Sequence, residues 1–287
     1  MLIDWNSKIN LTAITNEDDV WLKHFVDSCT INKYIPSNSK IIDVGTGAGF
    51  PGVPLKIVRD DISLTLLDSL NKRISFLKEL TNELQLDKVE FIHGRAEDIA
   101  QDKNYREQFD IATARAVANL STLSEYCLPF VKVGGYFICM KAGNVQDEIE
   151  EAKNAIDKLG GTIEKIDSFT LPNSDIERTI ILIKKIKNTP KTYPRKAGTP
   201  SKNPIWFFLR ANENMIYGMS ENTFKMLLKC FVTDIINVCP LQYIKHTIIV
   251  LYMLYNVCKG HAFNGCYKTF FRAWKKYLRT NGINAYF

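Results

Sequence analysis

Short apolar runs alternate with longer amphipathic stretches through the first two thirds of the chain. The stretches whose apolar residues recur every three or four positions predict helices, among them Asn71–Leu84, Ser121–Leu128 and Gln146–Leu159. The apolar runs predict strands at Lys40–Ile42, Leu64–Leu67, Val89–His93, Phe109–Ala114, Tyr136–Met140, Thr162–Phe169 and Arg178–Ile186. Strands and helices alternating at this spacing predict a doubly wound, mostly parallel, seven-stranded Rossmann-like α/β sheet.

The residues before the first strand predict one helix. It begins at Asp18 or Asp19 and places Trp21 and Phe25 on one side. The chain starts almost directly at Trp5-Asn6. We therefore expect the leading helix to be missing, which means that the N-terminal helix is truncated.

A glycine-rich turn follows the first strand and indicates a ligand site. Gly45, Gly47 and Gly49 alternate over five residues, and glycine lets a backbone approach a ligand closely at positive φ. Asp43 precedes the first glycine by two positions, and Asp68 ends the second strand 19 residues after Gly49. A carboxylate at the Asp68 position accepts hydrogen bonds from ribose hydroxyls. We therefore expect Asp43, Gly47 and Asp68 to bind a nucleoside.

The spacing of the glycines separates two classes of nucleoside cofactor. A dinucleotide fingerprint reads G-x-G-x-x-G or G-x-G-x-x-A. Here the run reads G-x-G-x-G and the sixth position is Phe50, which resembles motif I of S-adenosylmethionine (SAM)-dependent methyltransferases. SAM is favoured, while an NAD-dependent oxidoreductase and a tight turn that binds nothing remain as alternatives.

Charge divides the chain of 287 residues into two parts. Residues 1–205 carry a net charge of −1, whereas residues 206–287 carry +7 and hold 17 of the 32 aromatic residues. We therefore expect a domain over residues 1–205 and a basic, aromatic, helical extension over 206–287. The seven cysteines form no CxxC pair, which predicts reduced cytosolic thiols and no metal site.

The extension has no function that its residues identify. Its longest apolar stretch, Ile248–Val257, is shorter than the about 20 residues of a membrane span. One interpretation is an amphipathic helix for RNA or a membrane surface, with cations among aromatic residues at Lys268, Arg272, Lys275, Lys276 and Arg279. The other is that the segment is a fusion, read-through or out-of-frame addition.

Five motifs in order resemble one family over about residues 3–205: Trp5-Asn6 with Asn10-Leu11-Thr12, Gly45–Gly52, Gly94–Glu97, Thr113–Ala116 and Tyr193–Pro200. This is the bacterial small-subunit ribosomal RNA guanine-N7 methyltransferase family, also called glucose-inhibited division protein B. The resemblance implies a SAM-dependent enzyme that acts on 16S rRNA of the small ribosomal subunit, and we further expect a cytoplasmic monomer without metal. By position, the family's SAM-contacting residues match Gly45, Phe50, Ala96, Glu97 and Arg115.

Three of these residues have a structural alternative. Phe50 suits core packing as well as the flank of an adenine ring, and Glu97 suits a solvated helix cap as well as the adenine edge. Arg115, just past the fourth strand, suits a surface salt bridge as well as a catalytic role at the rim of the sheet.

Absent motifs narrow the chemistry. Methyltransferases of exocyclic amines usually carry Asp/Asn-Pro-Pro-aromatic after the fourth strand, where this chain reads Thr113-Ala114-Arg115. Methyltransferases of pyrimidine C5 need a thiolate, commonly in a Pro-Cys pair, but Cys127 follows Tyr126. Guanine N7 has an in-plane lone pair and needs no general base, so positioning and electrostatics suffice. We expect Arg115 to be catalytic by holding guanine O6 or a neighbouring phosphate.

The RNA contact has a weaker signal. Residues 178–202 contain eight cations and no acid, which indicates a path for phosphates or, alternatively, a solvated strand face and linker. A catalytically silent module that binds SAM or RNA also remains open as a function.

Overall fold

Seven strands form one sheet in this computed structural model, which describes residues 1–115, 118–143 and 145–205. The strands are β1 (Lys40–Val44), β2 (Ser63–Asp68), β3 (Val89–His93), β4 (Phe109–Arg115), β5 (Val131–Ala142), β6 (Gly161–Thr170) and β7 (Glu177–Lys185). Their order is β3-β2-β1-β4-β5-β7-β6, and β7 alone runs antiparallel to the other six strands. The predicted fold class is confirmed.

The predicted extension, residues 206–287, lies outside the described residues, so the two-domain division stays a prediction.

Helices cover both faces of this sheet. They are α1 (Leu2–Ile9), α2 (Glu17–Val20), α3 (Asp27–Cys29), α4 (Gly52–Val58), α5 (Asn71–Glu83), α6 (Ala96–Ile99), α7 (Leu120–Cys127), α8 (Gln146–Lys158) and α9 (Thr199–Lys202). A π-helical turn, Trp21–Val26, joins α2 to α3, and short 3₁₀ turns lie at Asn32–Tyr34 and Leu128–Phe130.

The core is split by the sheet because side chains alternate between its two faces. Ile41 packs with Leu64 and Phe76 on one side, whereas Ile42 packs with Phe109 and Phe137 on the other. The inner strands are nearly continuous apolar runs, as expected for parallel strands that helices cover on both faces.

The N-terminal residues differ from the prediction. The sequence predicted no leading helix, but helix α1 is present and contains Trp5. The Trp5 ring packs 5.4 Å from the Phe76 ring of α5, and this contact holds α1 against the domain. The predicted cap is also wrong. Asn16, and not Asp18 or Asp19, caps α2, since its side-chain oxygen accepts a hydrogen bond from the Asp19 amide at 3.1 Å.

The sheet topology places one end of the molecule under several loops. The chain leaves β1 towards β2 and later returns to β4 on the other side of β1, so the connections diverge between β1 and β4. In open α/β sheets, ligands bind outside the carboxyl ends of the strands at such a switch point. Asp43, Asp68 and Arg115 all lie at or near these carboxyl ends.

Candidate active site

The glycine turn after β1 folds tightly against α4 and α5. Gly45, Gly47 and Gly49 all have positive φ, at 73°, 61° and 93°. A Cβ on Gly49 would lie 2.7 Å from Val53 Cγ2, so this position tolerates no side chain. By contrast, a Cβ on Gly47 would have only the Gly45 carbonyl oxygen nearby, at 4.0 Å. The turn therefore has no space for a side chain at Gly49, whereas space remains beside Gly47.

Asp43 supports this turn from beneath. Its side chain is fully buried, and Oδ2 accepts hydrogen bonds from Thr46 Oγ1 at 2.7 Å and from the Gly52 amide at 2.9 Å. Burial raises the pKa of Asp43 to about 6. The buried carboxylate thus supports the glycine turn through these two hydrogen bonds, and its contact with the nucleoside stays a prediction.

Asp68 is hydrogen-bonded to the glycine turn. Its Oδ2 accepts a hydrogen bond from the Gly47 amide at 2.9 Å and from Arg73 Nη1 at 3.3 Å, while Oδ1 accepts from the Leu70 amide at 2.8 Å. The structure thus brings together Asp68 and Gly47, two of the residues that the sequence predicted to bind a nucleoside. A carboxylate at the end of this strand is an acceptor of the kind that binds the hydroxyls of a nucleoside ribose.

Ala96 and Glu97 begin α6, directly after β3. Glu97 is buried, and its Oε1 accepts a hydrogen bond from the Gly198 amide at 2.8 Å. The alternative of a solvated cap is therefore wrong. Glu97 instead connects α6 to residues 189–205, which we call the C-terminal strap.

Arg115 ends β4 inside a cluster of N-terminal residues. Its Nη1 donates to the Lys23 carbonyl at 3.1 Å and contacts Asp27 Oδ2 at 3.5 Å, and its Nη2 is 3.0 Å from His24 Nδ1. The guanidinium carbon lies 5.0 Å from the centre of the Phe50 ring. Burial lowers the pKa of Arg115. The alternative of a surface salt bridge is wrong, since Asp27 is 3% exposed.

Phe50 is held by three neighbours in the same cluster. The His24 ring stacks on it at 4.5 Å and 17°, and the Phe25 ring meets it edge-on at 5.6 Å. With Arg115 alongside, these contacts leave Phe50 only 7% exposed. The packing alternative is thus realised in the structure, next to the glycine turn.

His24 is the residue that the sequence analysis missed. It is buried, and its ring joins Arg115, Phe50 and Thr12, whose Oγ1 lies 2.7 Å from Nε2. Burial first, and then the charge of Arg115, lower the pKa of His24 to about 4. The sequence contained one indication that His24 belongs to a polar cluster: His24 and Asp27 are three positions apart, which places both on one side of a helix. The partner, Arg115, is 91 positions away.

Comparison with known proteins identifies the family. The family model described as GidB, rRNA small subunit methyltransferase G, matches residues 1–179. Three proteins named Ribosomal RNA small subunit methyltransferase G are 60%, 56% and 54% identical over 207 residues, which is 71% of this chain and 87% of each relative. They come from Alkaliphilus oremlandii, Alkaliphilus metalliredigens and Bacillus subtilis. The chain belongs to this family.

Membership of the rRNA small subunit methyltransferase G family confirms the predicted resemblance, the class of enzyme and the SAM cofactor. It does not favour the NAD-dependent oxidoreductase or the silent binding module.

Within the described residues, no helix is long and apolar enough to cross a membrane. Over the same residues, no group of three or more His, Cys, Asp or Glu side chains is placed to hold a metal ion.

In this family member, the predicted phosphate path over residues 178–202 stays a prediction, and the structure shows which of its cations have acidic partners. Five of its eight cations pair with acids elsewhere in the fold: Arg178 with Asp27, Lys184 with Glu164, Lys185 with Glu107, Lys187 with Asp157 and Arg195 with Glu125. The pairs of Arg178, Lys185 and Arg195 are largely buried and attach β7 and the C-terminal strap to the domain, whereas the pairs of Lys184 and Lys187 are exposed. Lys191, Lys196 and Lys202 remain exposed.

Proposed function

We propose that this chain transfers the methyl group of SAM to N7 of a guanine in 16S rRNA of the small ribosomal subunit. The observation that carries the proposal is membership of the rRNA methyltransferase family together with Arg115 at the end of β4. Arg115 supplies a cation at that position, and an unprotonated ring nitrogen requires no base or nucleophile from the chain.

The proposed SAM site runs along the carboxyl ends of β1, β2 and β3. Gly45 and Gly47 border the cofactor with their backbone, and Asp68 accepts hydrogen bonds from the ribose. Ala96 and Glu97 face the adenine from the start of α6, and Phe50 closes the end next to Arg115. Asp43 acts through the glycine turn. Bound SAM supplies an electrophilic methyl group on a positively charged sulfur.

Transfer to N7 needs no proton acceptor from the chain. The N7 lone pair forms the new bond to the methyl carbon as the carbon–sulfur bond breaks, and the positive charge passes to the purine. No proton leaves. The residues of the chain contribute in-line positioning and electrostatics.

Arg115 is the proposed catalytic residue. Its guanidinium has five N–H donors. In the part of the chain that the structure describes, Nη1 contacts Lys23 and Asp27, and one hydrogen of Nη2 is donated to His24. Nε and the second Nη2 hydrogen remain to hold guanine O6 or a phosphate of the target. Arginine forms such paired hydrogen bonds with the oxygens of a phosphate, whereas a donor on N7 itself would block the lone pair that attacks the methyl group.

The direct experiment is methyl transfer from labelled SAM to small ribosomal subunits and to isolated 16S rRNA by the purified full chain. Reduction with borohydride followed by aniline cleaves RNA at N7-methylguanosine, so one new cleavage site is expected. Labelled RNA that resists cleavage would exclude N7. A chain that binds SAM but transfers no methyl group would be a silent binder.

Arg115→Ala tests the catalytic assignment. We expect kcat to fall by about 100-fold, as for loss of a transition-state donor elsewhere. Arg115→Lys is the matched control, because it keeps the charge but not the paired donors, and we expect it to recover only part of the loss. Wild-type kcat in Arg115→Ala would remove Arg115 from the chemistry.

We also propose that the enzyme works as a monomer in the cytoplasm, where its rRNA substrate is found. Light scattering tests the monomer.

The proposed RNA contact includes Lys191, Lys196 and Lys202 on the strap. Binding of 16S rRNA should weaken steeply between 50 and 200 mM salt if these lysines contact phosphates, and flat affinity would exclude them.

A further inference from the structure

We propose that His24 is a positioning residue for methyl transfer, a neutral imidazole that fixes the Arg115 guanidinium at the end of β4. This inference rests on the proposed function, because it gives His24 a role through the proposed catalytic arginine.

The hydrogen bonds decide which ring nitrogen of His24 carries the proton. Arginine has donors but no acceptor, so the 3.0 Å contact requires an unprotonated Nδ1 that accepts from Arg115 Nη2. The proton then lies on Nε2, which donates to Thr12 Oγ1 at 2.7 Å. Protonation of both nitrogens would place two cations together and break the contact with Arg115. The lowered pKa of His24 agrees with a neutral ring.

Contacts on three sides fix the imidazole. Its face stacks on Phe50, its Nδ1 meets Arg115 and its Nε2 meets Thr12. Thr12 is itself held, because its amide donates to Asn6 Oδ1 at 2.8 Å and its Oγ1 accepts from the Ile14 amide at 3.0 Å. The segment after α1 therefore fixes the orientation of a side chain at the end of β4.

A neutral acceptor serves Arg115 better than a second carboxylate would. Asp27 lies closer to Arg178 than to Arg115, at 3.0 Å against 3.5 Å. The tighter partner of that carboxylate is thus Arg178. Arg115 donates its shorter hydrogen bonds to uncharged groups, the Lys23 carbonyl and His24. These bonds orient the guanidinium while leaving its positive charge available to the RNA.

Two variants separate the contacts of His24. His24→Phe keeps a ring on Phe50 but removes both hydrogen bonds. His24→Asn loses the ring but places an amide oxygen near the Nδ1 position, where it can accept from Arg115. We expect His24→Phe to lower kcat on small ribosomal subunits by about 10- to 100-fold, with the Kd for SAM within about threefold of wild type. His24→Asn should recover at least part of kcat.

A double-mutant cycle with Arg115→Ala distinguishes positioning from general support of the fold. If His24 acts through Arg115, the double variant will have the kcat of Arg115→Ala within about twofold. Additive losses, a wild-type kcat in His24→Phe, or a loss confined to the Kd for SAM would each overturn the inference. Thermal unfolding of every variant identifies losses caused by misfolding, and His24→Asn supplies the comparison when His24→Phe is unstable.

The wild-type protein separates this inference from the proposed function. Absence of methyl transfer by wild type defeats the proposed function, and the positioning role falls with it. Active wild type with additive losses defeats only the role of His24. Nitrogen NMR of the histidine rings gives an independent readout, with protonated Nε2 and unprotonated Nδ1 expected for His24 at pH 7. A protonated Nδ1 would overturn the inference directly.

Discussion

The amide of Gly198 donates a 2.8 Å hydrogen bond to the carboxylate of Glu97, across 101 positions of the chain. Gly198 lies in the C-terminal strap, and Glu97 begins the helix proposed to face the adenine of SAM. The strap is attached at further points, since Arg106 donates to the carbonyls of Thr189 and Tyr193 and Ser121 donates to that of Ile205. The same carboxyl group therefore belongs both to the strap and to the proposed cofactor site.

Glu97→Ala should weaken SAM binding and loosen the strap together. Hydrogen bonds to a charged group contribute about 1.5–3 kcal/mol, so we expect the Kd for SAM, measured by calorimetry, to rise at least about tenfold. Trypsin should cleave the strap faster, at Lys191, Arg195 or Lys196. Glu97→Gln keeps an acceptor for Gly198 and should leave the strap protected. Unchanged SAM affinity in Glu97→Ala would remove Glu97 from the cofactor site.

Arg195→Ala should destabilise the domain by about 3 kcal/mol, because it leaves the carboxylate of Glu125 without its charged partner. Glu125 is fully buried, and Arg195 donates to it from the backbone and from Nε and Nη2. Lys153→Ala is the control, since its pair with Glu150 is exposed and contributes about 0.5 kcal/mol or less. Urea unfolding measures both. Equal effects of the two substitutions would contradict this prediction.

Gly49→Ala should be far more damaging than Gly134→Ala. Both glycines have positive φ, 93° and 91°, so both substitutions carry a similar strain of about 1–2 kcal/mol. Only at Gly49 does the new Cβ overlap neighbours, Val53 and Leu77, which adds about 1–3 kcal/mol. We expect SAM binding to be lost in Gly49→Ala and kept in Gly134→Ala. Similar stability of the two variants in urea would show that the turn relaxes around a methyl group.

The stability contribution of His24 should decrease on acidification. Its pKa is about 4 in the folded protein and 6.5 in an unfolded chain, so between these values the unfolded state binds more protons. The free energy of unfolding therefore falls as the pH drops from 6.5 to 4, by at most about 1.4 kcal/mol per pH unit.

Asp43 opposes this effect, because its raised pKa of about 6 makes the folded state bind more protons between pH 3.8 and 6. The contribution of His24 is therefore measured as the difference between wild type and His24→Phe in urea unfolding at pH 7, 6 and 5. The stability advantage of wild type should shrink along this series. A constant difference would mean that His24 titrates normally.

The sequence by itself determined the fold and the family of this protein. Continuous apolar runs, helical periodicity and the spacing of Gly45, Gly47 and Gly49 are local properties that each segment carries alone. They were enough to place all seven strands and to assign Asp68 and the glycine turn to one nucleoside ligand. The order of five motifs then identified the family before any contact was known.

Only the tertiary structure decided which polar groups meet. His24 meets Arg115 across 91 positions, and Glu97 meets Gly198 across 101, so no local pattern links them. The cations of residues 178–202 looked free in the sequence, yet most of them face acids brought up by other elements. A buried polar group must find a partner wherever packing places one, and that partner depends on how the strands and helices assemble.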